Sequence, residues 1–370
     1  MSSRDELWSA FPNHHEMSKS PTFITQRILA ETLGVSRVTV SHILSGRGDS
    51  RYSKETREKV LKAAQELGYR PNRAAQIMRK GRSNLIGIIH FGTSHQSSKE
   101  AVHYLPQAIT AHGYDIFVVD LSWHGGCHRR AIDQLVDMRV EGVVISHQAE
   151  SFGAEEVKIL ARAGIPAVTL AGNEKLGIPS IHGDSGVALE KMVRHLHALG
   201  HRNLLLLSNN YESRPTLGRI SGFQAGIRKF SDIHGEVVRL PADRGIFDSG
   251  SSAYQYTRGL IAGSTVPDVI LCSNDRWARG VFAAALEAGL RVPDDIAVTG
   301  FDNESFGAQA PYYLTTVAPD IARECHKAVE VLMDLIAGRP LPQQNYVFPC
   351  KIIVRHSCGA AARISSQPTT

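Results

Sequence analysis

Among the 370 residues, the side chains that could act as nucleophiles, bases or metal ligands are plentiful but poorly arranged for it. Gly183-Asp184-Ser185-Gly186 carries the residue types of a serine-nucleophile site. Such a serine needs a base and a group to orient that base. The tetrapeptide instead falls between a strand and a long helix of an α/β body, and a structural turn is the simpler reading. No G-x-x-x-x-G-K-[ST], H-E-x-x-H or G-x-S-x-G occurs. The 17 histidines are dispersed, and His195 and His197, two apart on a helix, point to different faces. The 5 cysteines, Cys127, Cys272, Cys325, Cys350 and Cys358, are never spaced as C-x-x-C, which predicts buried reduced thiols rather than a disulfide framework or a zinc site. No catalytic residue, metal site or cofactor is expected.

The charge points elsewhere. The chain carries 41 Lys+Arg and 36 Asp+Glu, a net +5. Residues 18–82 hold 14 basic and 5 acidic side chains, +9; residues 1–17 hold one basic and three acidic, −2; the remainder is therefore 5 − 9 + 2 = −2. A small basic module precedes a large, nearly neutral body, an asymmetry that suits a polyanion partner for the front end. No apolar run approaches the roughly 20 residues that span a bilayer, and the first residues, MSSRDELWSAFPNHHEMSKS, lack a secretory pattern. The expectation is a cytoplasmic protein with no membrane partner.

The elements that would position any chemistry are legible in the basic module. Thr25 can cap a helix Gln26 to Leu33, with Ile28, Leu29 and Leu33 as its apolar stripe. Gly34 supplies a left-handed stop, Val35 plugs the corner, and Ser36 caps a second helix, Arg37 to Leu44. That helix turns Val40, Ile43 and Leu44 inward and leaves Arg37, Val38, Ser41 and His42 outside. Ser53 caps a third helix through Leu67, whose buried face reads Val60, Leu61, Ala64 and Leu67. Two helices joined by a short Gly-containing turn make a helix-turn-helix; with the basic excess, this favours DNA over a generic three-helix bundle. Pro71 stops the third helix and Asn72 can cap a short one, Arg73 to Arg79, which is too short to be stable alone and needs a partner.

The runs TQRILAETLGVSRVTVSHILSG, YSKETREKVLKAAQELGYRPNRAA and RKGRSNLIGII resemble, in order, the headpiece, hinge helix and first core strand of the lactose/galactose repressor family of bacterial transcription regulators. The resemblance covers about residues 22 to 358. It implies a homodimer on a pseudo-palindromic double-stranded DNA operator, with recognition helices in successive major grooves and paired hinge helices in the central minor groove. Carried to matching positions, Arg37, Val38 and His42 would face base edges. Thr25, Ser36, Thr39, Ser41, Thr56 and Asn72 would face phosphates, and Ala75, Met78 and Arg79 the minor groove. Met78 stands where the family usually has a wedging leucine; Met is also an apolar wedge. The loop GRGDSRY is two residues longer than usual.

From Asn84 onward, short apolar strands alternate with helices: LIGIIHF, YDIFVVD, GVVIS and IPAVTL, then NLLLLS, EVVRL, DVILC and IAVTG. The alternation predicts an α/β fold with parallel sheets, and this many strands suits two lobes. The resemblance makes these a two-lobed, periplasmic-binding-protein-like (type I) core with a small-molecule effector, sugar-like in chemistry, between the lobes. The expected organisation is a mobile tail (1–21), headpiece (22–70), hinge helix and linker (71–83), first lobe (84–182 with 318–342), second lobe (183–317 with 343–358) and a tail (359–370) without the apolar heptads of a coiled coil.

Strand ends hold ligands in open α/β sheets. There, Arg219 in GRISGF, Phe247, Asn274 in SNDRWARG and Asp302 in GFDN match the family's effector contacts. An arginine, a carboxylate and an aromatic face suit a polyhydroxylated or heterocyclic ligand. The first pocket loop, FGTSHQSSKEAVHYLPQA, departs from the family pattern: Phe91, Ser94 and His95 are weaker matches, and Pro106 predicts a broken or kinked helix. Trp123 and His124 lie in the next loop. The leading reading is a DNA-binding regulator, a repressor by resemblance. A solute receptor of the same fold and an α/β enzyme acting on sugars are the alternatives.

Overall fold

A computed structural model describes residues 24–45, 51–70, 81–90, 92, 96–121, 128–146, 152–170, 176–241, 250–263 and 266–359. The chain divides into two units, Met1–Arg82 and Ser83–Thr370.

In the first unit, α1 (Gln26–Leu33), α2 (Arg37–Leu44) and α3 (Lys54–Glu66) each begin at a hydroxyl cap. Thr25, Ser36 and Ser53 accept from the backbone N–H groups of Ile28, Thr39 and Thr56. Gly34, at φ 64°, closes α1 in the left-handed region that a Cβ disfavours. The helices enclose Leu29, Ala30, Val40, Ile43, Val60 and Ala64, with Leu33, Val35, Leu44 and Tyr52 packed around them. Two expected core positions are corrected: Leu61 is 49% and Leu67 39% exposed. Leu61 lies about 100° around α3 from Val60, and Leu67 is already the C-cap.

The second unit begins with β1 (Leu85–His90), α4 (Gln96–Ala111), β2 (Asp115–Asp120), α5 (His128–Asp137), β3 (Gly142–Ile145), α6 (Ala154–Arg162), β4 (Ala167–Thr169) and β5 (Ser180–Asp184). It continues with α7 (Ser185–Ala198), β6 (Asn203–Asn209), α8 (Arg214–Ile227), β7 (His234–Leu240), α9 (Ser251–Ala262), β8 (Val269–Cys272), α10 (Asp275–Glu287) and β9 (Ala297–Phe301). Then follow β10 (Thr315–Ala318), α11 (Ile321–Ile336), β11 (Asn345–Pro349) and β12 (Lys351–Ile353).

Two six-stranded sheets result, ordered β11-β5-β4-β3-β1-β2 and β12-β10-β9-β8-β6-β7. The paired strands run parallel except for β10 with β12. The central strands β1, β3, β8 and β9 are buried throughout, as continuous apolar runs covered by helices on both faces must be. Each sheet has one apolar cluster per face.

The second-lobe segment expected at 343–358 is corrected. β11 pairs with β5 in the first-lobe sheet, and only β12 joins the second lobe, so the chain returns at Cys350 rather than near Gln343. The first lobe also keeps β5 through Asp184. A short exposed strand such as NYVFP carries no sign of which sheet edge it completes. The break expected at Pro106 does not occur, since α4 runs through it. Burial of Ala101, Leu105, Ala108 and Ile109 on that helix outweighs the roughly 3 kcal/mol that an internal proline costs. Four cysteines, Cys272, Cys325, Cys350 and Cys358, are buried free thiols. Among the described residues, no helix is long and apolar enough to cross a membrane.

Candidate functional sites: the headpiece face and the interlobe cleft

On α2, Arg37 is exposed and Val38 is 60% exposed. Much of the headpiece charge is tied up in solvent-facing pairs four residues apart, Arg27–Glu31, Lys54–Glu58, Lys59–Glu55 and Lys62–Glu66. Arg37 joins none of them. It stands at the first position of α2 next to the exposed Val38; a guanidinium is the commonest bidentate donor to guanine. His42 is half-buried, and its Nδ1 lies 3.0 Å from the Tyr52 hydroxyl, which leaves Nε2 as the ring atom able to reach outward. The Ser36 and Thr39 hydroxyls are 2.8 Å apart, and those of Ser53 and Thr56 are 2.9 Å apart. These pairs frame the N-termini of α2 and α3, where backbone N–H groups favour an anion. Asn72, Ala75, Met78 and Arg79 lie outside the described residues, as does most of the GRGDSRY loop.

The second site forms where the chain crosses between lobes. α7 and α8 pack closely because Gly222 has no side chain; a β-carbon there would meet the Gly186 carbonyl. The GDSG segment is thus a structural turn: Asp184 caps α7 by accepting from Val187 N–H at 3.0 Å, and the Ser185 hydroxyl donates to the Pro215 carbonyl. At the head of α8, Thr216 donates to Asn209 Oδ1 at 2.9 Å, tying the helix to the end of β6.

This places Arg219 in the cleft. Its side chain is 14% exposed, with Nη2 3.6 Å from Asp302 Oδ1, and its guanidinium lies 3.8 Å above the Phe301 ring. Asp302 is held at φ 102° and the next residue, Asn303, at φ 53°, conformations that cost non-glycine residues of order 1–3 kcal/mol and gather at functional sites. The segment is pinned from several sides. Asp302 N–H donates to Val317 O at 2.8 Å, and Arg355 donates to Asn303 Oδ1 at 2.8 Å. Arg276 donates to Glu304 at 2.7 Å, both nearly buried. Beneath it, fully buried Asp275 accepts 2.6 Å hydrogen bonds from Thr316 Oγ1 and Glu304 N–H. Burial first, then the neighbouring Asp302 and Glu304 charges, raise the Asp275 carboxyl well above the usual carboxylate range.

A cavity of about 340 Å³ opens beside Arg219. Ser97, Leu170, Ile321 and Glu324 line it from the first lobe, and Ser185, Gly218, Arg219 and Phe301 from the second. Lys99 of α4 approaches Glu304 at 4.0 Å, a direct contact between lobes. Burial, then the Glu324 charge, pushes the Cys350 thiol up to about 12, so it lines the cavity as an unreactive SH.

Of the expected effector contacts, the structure brings Arg219 and Asp302 together. Asn274 is not among the cavity-lining residues; its side-chain oxygen caps α10, accepting from Trp277 N–H at 2.8 Å. A helix N-terminus after β8 needs such an acceptor, and this duty engages the side-chain oxygen of Asn274. Phe91, Phe247, Ser94, His95, Trp123 and His124 lie outside the described residues. Phe301 and Glu324 were missed. Phe301 is in the GFDN run already singled out, while no motif in the sequence marks out Glu324.

A two-lobed α/β receptor joined to a basic helix-turn-helix module defines a ligand-responsive DNA-binding protein. Comparisons bear this out: residues 29–72 match the family described as bacterial regulatory proteins, lacI family, and residues 193–358 match a periplasmic binding protein-like domain. The chain is 28% identical to the HTH-type transcriptional regulator MalR of Streptomyces coelicolor over 349 residues, covering 92% of this chain and 98% of that protein. It is 28% identical to the lactose operon repressor of Escherichia coli K12 over 347 residues, 93% of each. The crystal structure of the lac repressor dimer bound to operator and the anti-inducer ONPF superposes with a TM-score of 0.77 at 27% identity, covering 91% of this chain and 99% of that one. The chain belongs to the lacI family of bacterial regulatory proteins. It is a DNA-binding transcriptional regulator and not an enzyme.

Proposed function

We propose that the protein is a cytoplasmic repressor that binds a two-fold-symmetric operator as a homodimer and is controlled by a sugar-like effector held in the interlobe cleft. The exposed Arg37 on a capped recognition helix, in no ion pair among the described residues, carries the DNA half of this reading. In it, Arg37 and Val38 read base edges, His42 contributes through Nε2, and Thr25, Ser36, Thr39, Ser41 and Thr56 orient the headpiece on phosphates. Asn72 meets a phosphate in the linker, and Ala75, Met78 and Arg79 enter the minor groove. The cleft half rests on Arg219 and Asp302, which meet although they lie 83 positions apart (302 − 219). Asn274, whose side-chain oxygen caps α10, and Phe247 and Phe91, outside the described residues, complete the proposed effector contacts. The operator- and anti-inducer-bound lac repressor dimer supports both halves by similarity.

A solute receptor would have no use for the basic three-helix unit. Selection of binding sites from random DNA tests the proposal: an inverted repeat with half-sites about one helical turn apart is expected, and an asymmetric site bound by a monomer refutes it.

A further inference from the structure

The loop that carries Asp302 does not hold its own shape. Asp302 and Asn303, at φ 102° and 53°, occupy backbone conformations that residues other than glycine keep only where their surroundings over-determine them. Three backbone N–H groups of the loop are tied to the elements beneath. Asp302 donates to Val317 O at 2.8 Å, Asn303 to Thr316 Oγ1 at 3.4 Å, and Glu304 to the Asp275 carboxyl at 2.6 Å. The Asn303 side chain is held from further off in sequence: its Oδ1 accepts at 2.8 Å from Nη2 of Arg355, 52 positions away.

Arg355 grips two segments at once. Its Nη1 donates to the Leu314 carbonyl at 2.6 Å, so one planar guanidinium clips the loop after β9 to the residue before β10. The arginine is itself fixed in place. Thr315 Oγ1 accepts from Arg355 N–H at 2.8 Å and donates to Arg355 O at 3.0 Å. In the short turn that follows, His356–Cys358, the buried Ser357 hydroxyl donates to Val298 O at 2.6 Å and accepts from Thr315 N–H at 2.8 Å. Both acceptors of the guanidinium are neutral, so what it supplies is a rigid fork of donors, which a lysine cannot reproduce. The charged contacts of the loop, Arg219 on Asp302 and Arg276 and Lys99 on Glu304, fall on the residues either side of Asn303 and do not involve Arg355.

Resting on the reading of the cleft as the effector site, we infer that Arg355 is a positioning residue for that site: acting through Asn303, it keeps the Asp302 backbone in the conformation that ligand requires. Affinity gained in this way comes from preorganisation rather than from a contact with ligand. A loop released from the clip spends only part of its time in that conformation, and apparent affinity falls by the same fraction.

Full-length parent, Arg355→Met, Arg355→Lys and Asn303→Gly are compared in two assays. Amide hydrogen exchange without ligand reads the segment Asp302 to Glu304; exchange there should speed up about tenfold in both Arg355 variants, with the β9 amides unchanged. Arg355→Lys keeps the stem and the charge but not the fork, and it carries the test should Arg355→Met fail to fold. Asn303→Gly removes the acceptor while accepting a positive φ, and in its background Arg355→Lys should add little further. Calorimetric titration with glucose, galactose, maltose and lactose should show any sugar that binds the parent binding the Arg355 variants about tenfold more weakly, at unchanged stoichiometry. A merely structural role would lower the folded fraction, and so the stoichiometry, without moving the affinity of the molecules that remain folded. That result, unchanged exchange at Asp302 to Glu304, parental affinity in Arg355→Lys, or additive effects with Asn303→Gly overturns the inference while leaving the cleft as the effector site. Failure of all four sugars to bind the parent overturns the sugar-like reading, and the exchange comparison by itself then upholds or overturns the hold of Arg355 on the loop.

Discussion

The Arg219–Asp302 pair lies on the second-lobe side of the cleft, and its strength can be worked from the structure. At 3.6 Å and an effective dielectric near 20, two unit charges attract by about 4–5 kcal/mol. Removing both groups from water costs several kcal/mol, which offsets most of that. The separation exceeds the ~2.7–2.9 Å of a direct charge-assisted hydrogen bond, so the favourable remainder is about 1–2 kcal/mol. The Phe301 ring at 3.8 Å adds a contact of about 0.5–2 kcal/mol, which Arg219→Ala loses and Asp302→Ala keeps. A double-mutant cycle of Arg219→Ala and Asp302→Ala, followed by urea denaturation of the ligand-free protein, should give a coupling energy of about 1–2 kcal/mol. Arg219→Ala should be the costlier single change if the stacking contributes as described. A coupling below about 0.5 kcal/mol, the ordinary error of additivity for unconnected sites, would show that the two groups are neighbours without interacting and would refute the reasoning.

Arg37→Ala should cost roughly 1–3 kcal/mol of specific DNA affinity and relax preference at one base position, whereas Thr39→Ala should weaken all sequences about equally; competition binding with single-base operator variants separates the two. Asp275 gives a pH prediction. Its carboxyl is raised in the folded protein above the ~3.9 of an unfolded chain, so the folded state holds a proton that the unfolded state releases. That contribution to stability is present below pH ~4 and is lost as pH rises toward the folded value. Asp275→Asn can accept from Glu304 N–H and donate to the Thr316 hydroxyl, so its melting temperature relative to the parent should improve from pH 4 to pH 8; a difference independent of pH would contradict this. Glu304, at 2.7 Å from buried Arg276, should not tolerate loss of its partner, and Arg276→Met should destabilise by about 3–5 kcal/mol in the same urea assay.

The headpiece was the most legible part of the sequence because its signals are local. Thr25, Ser36, Ser53 and Gly34 act within four residues of themselves, and α1 and α2 begin and end where those residues predict. The lobes were legible as alternating elements, but the sheet edge completed by β11 was not, because pairing of Tyr346 with Ile181 is decided by packing far away in sequence. Arg219 and Asp302 could be named because GRISGF and GFDN match the effector-contact positions of the family the chain resembles. Glu324 could not: nothing local distinguishes an acid exposed in the first turn of a helix from one 1% exposed beside a cavity. Asn274 carries a local duty as well, since its side-chain oxygen caps α10.

The central claim, that occupancy of the cleft controls the headpiece, is tested most directly by fluorescence anisotropy of the selected operator titrated with full-length parent and Arg219→Ala, each with and without a sugar identified by a thermal-shift screen. Ligand can shift the DNA-binding state only through its difference in affinity between the two states. The account predicts that saturating sugar changes the parent's operator affinity at least about fivefold, and that Arg219→Ala binds operator in the ligand-free form as the parent does while showing no change. An Arg219→Ala protein that keeps the parent's full response would place the controlling site outside this cleft.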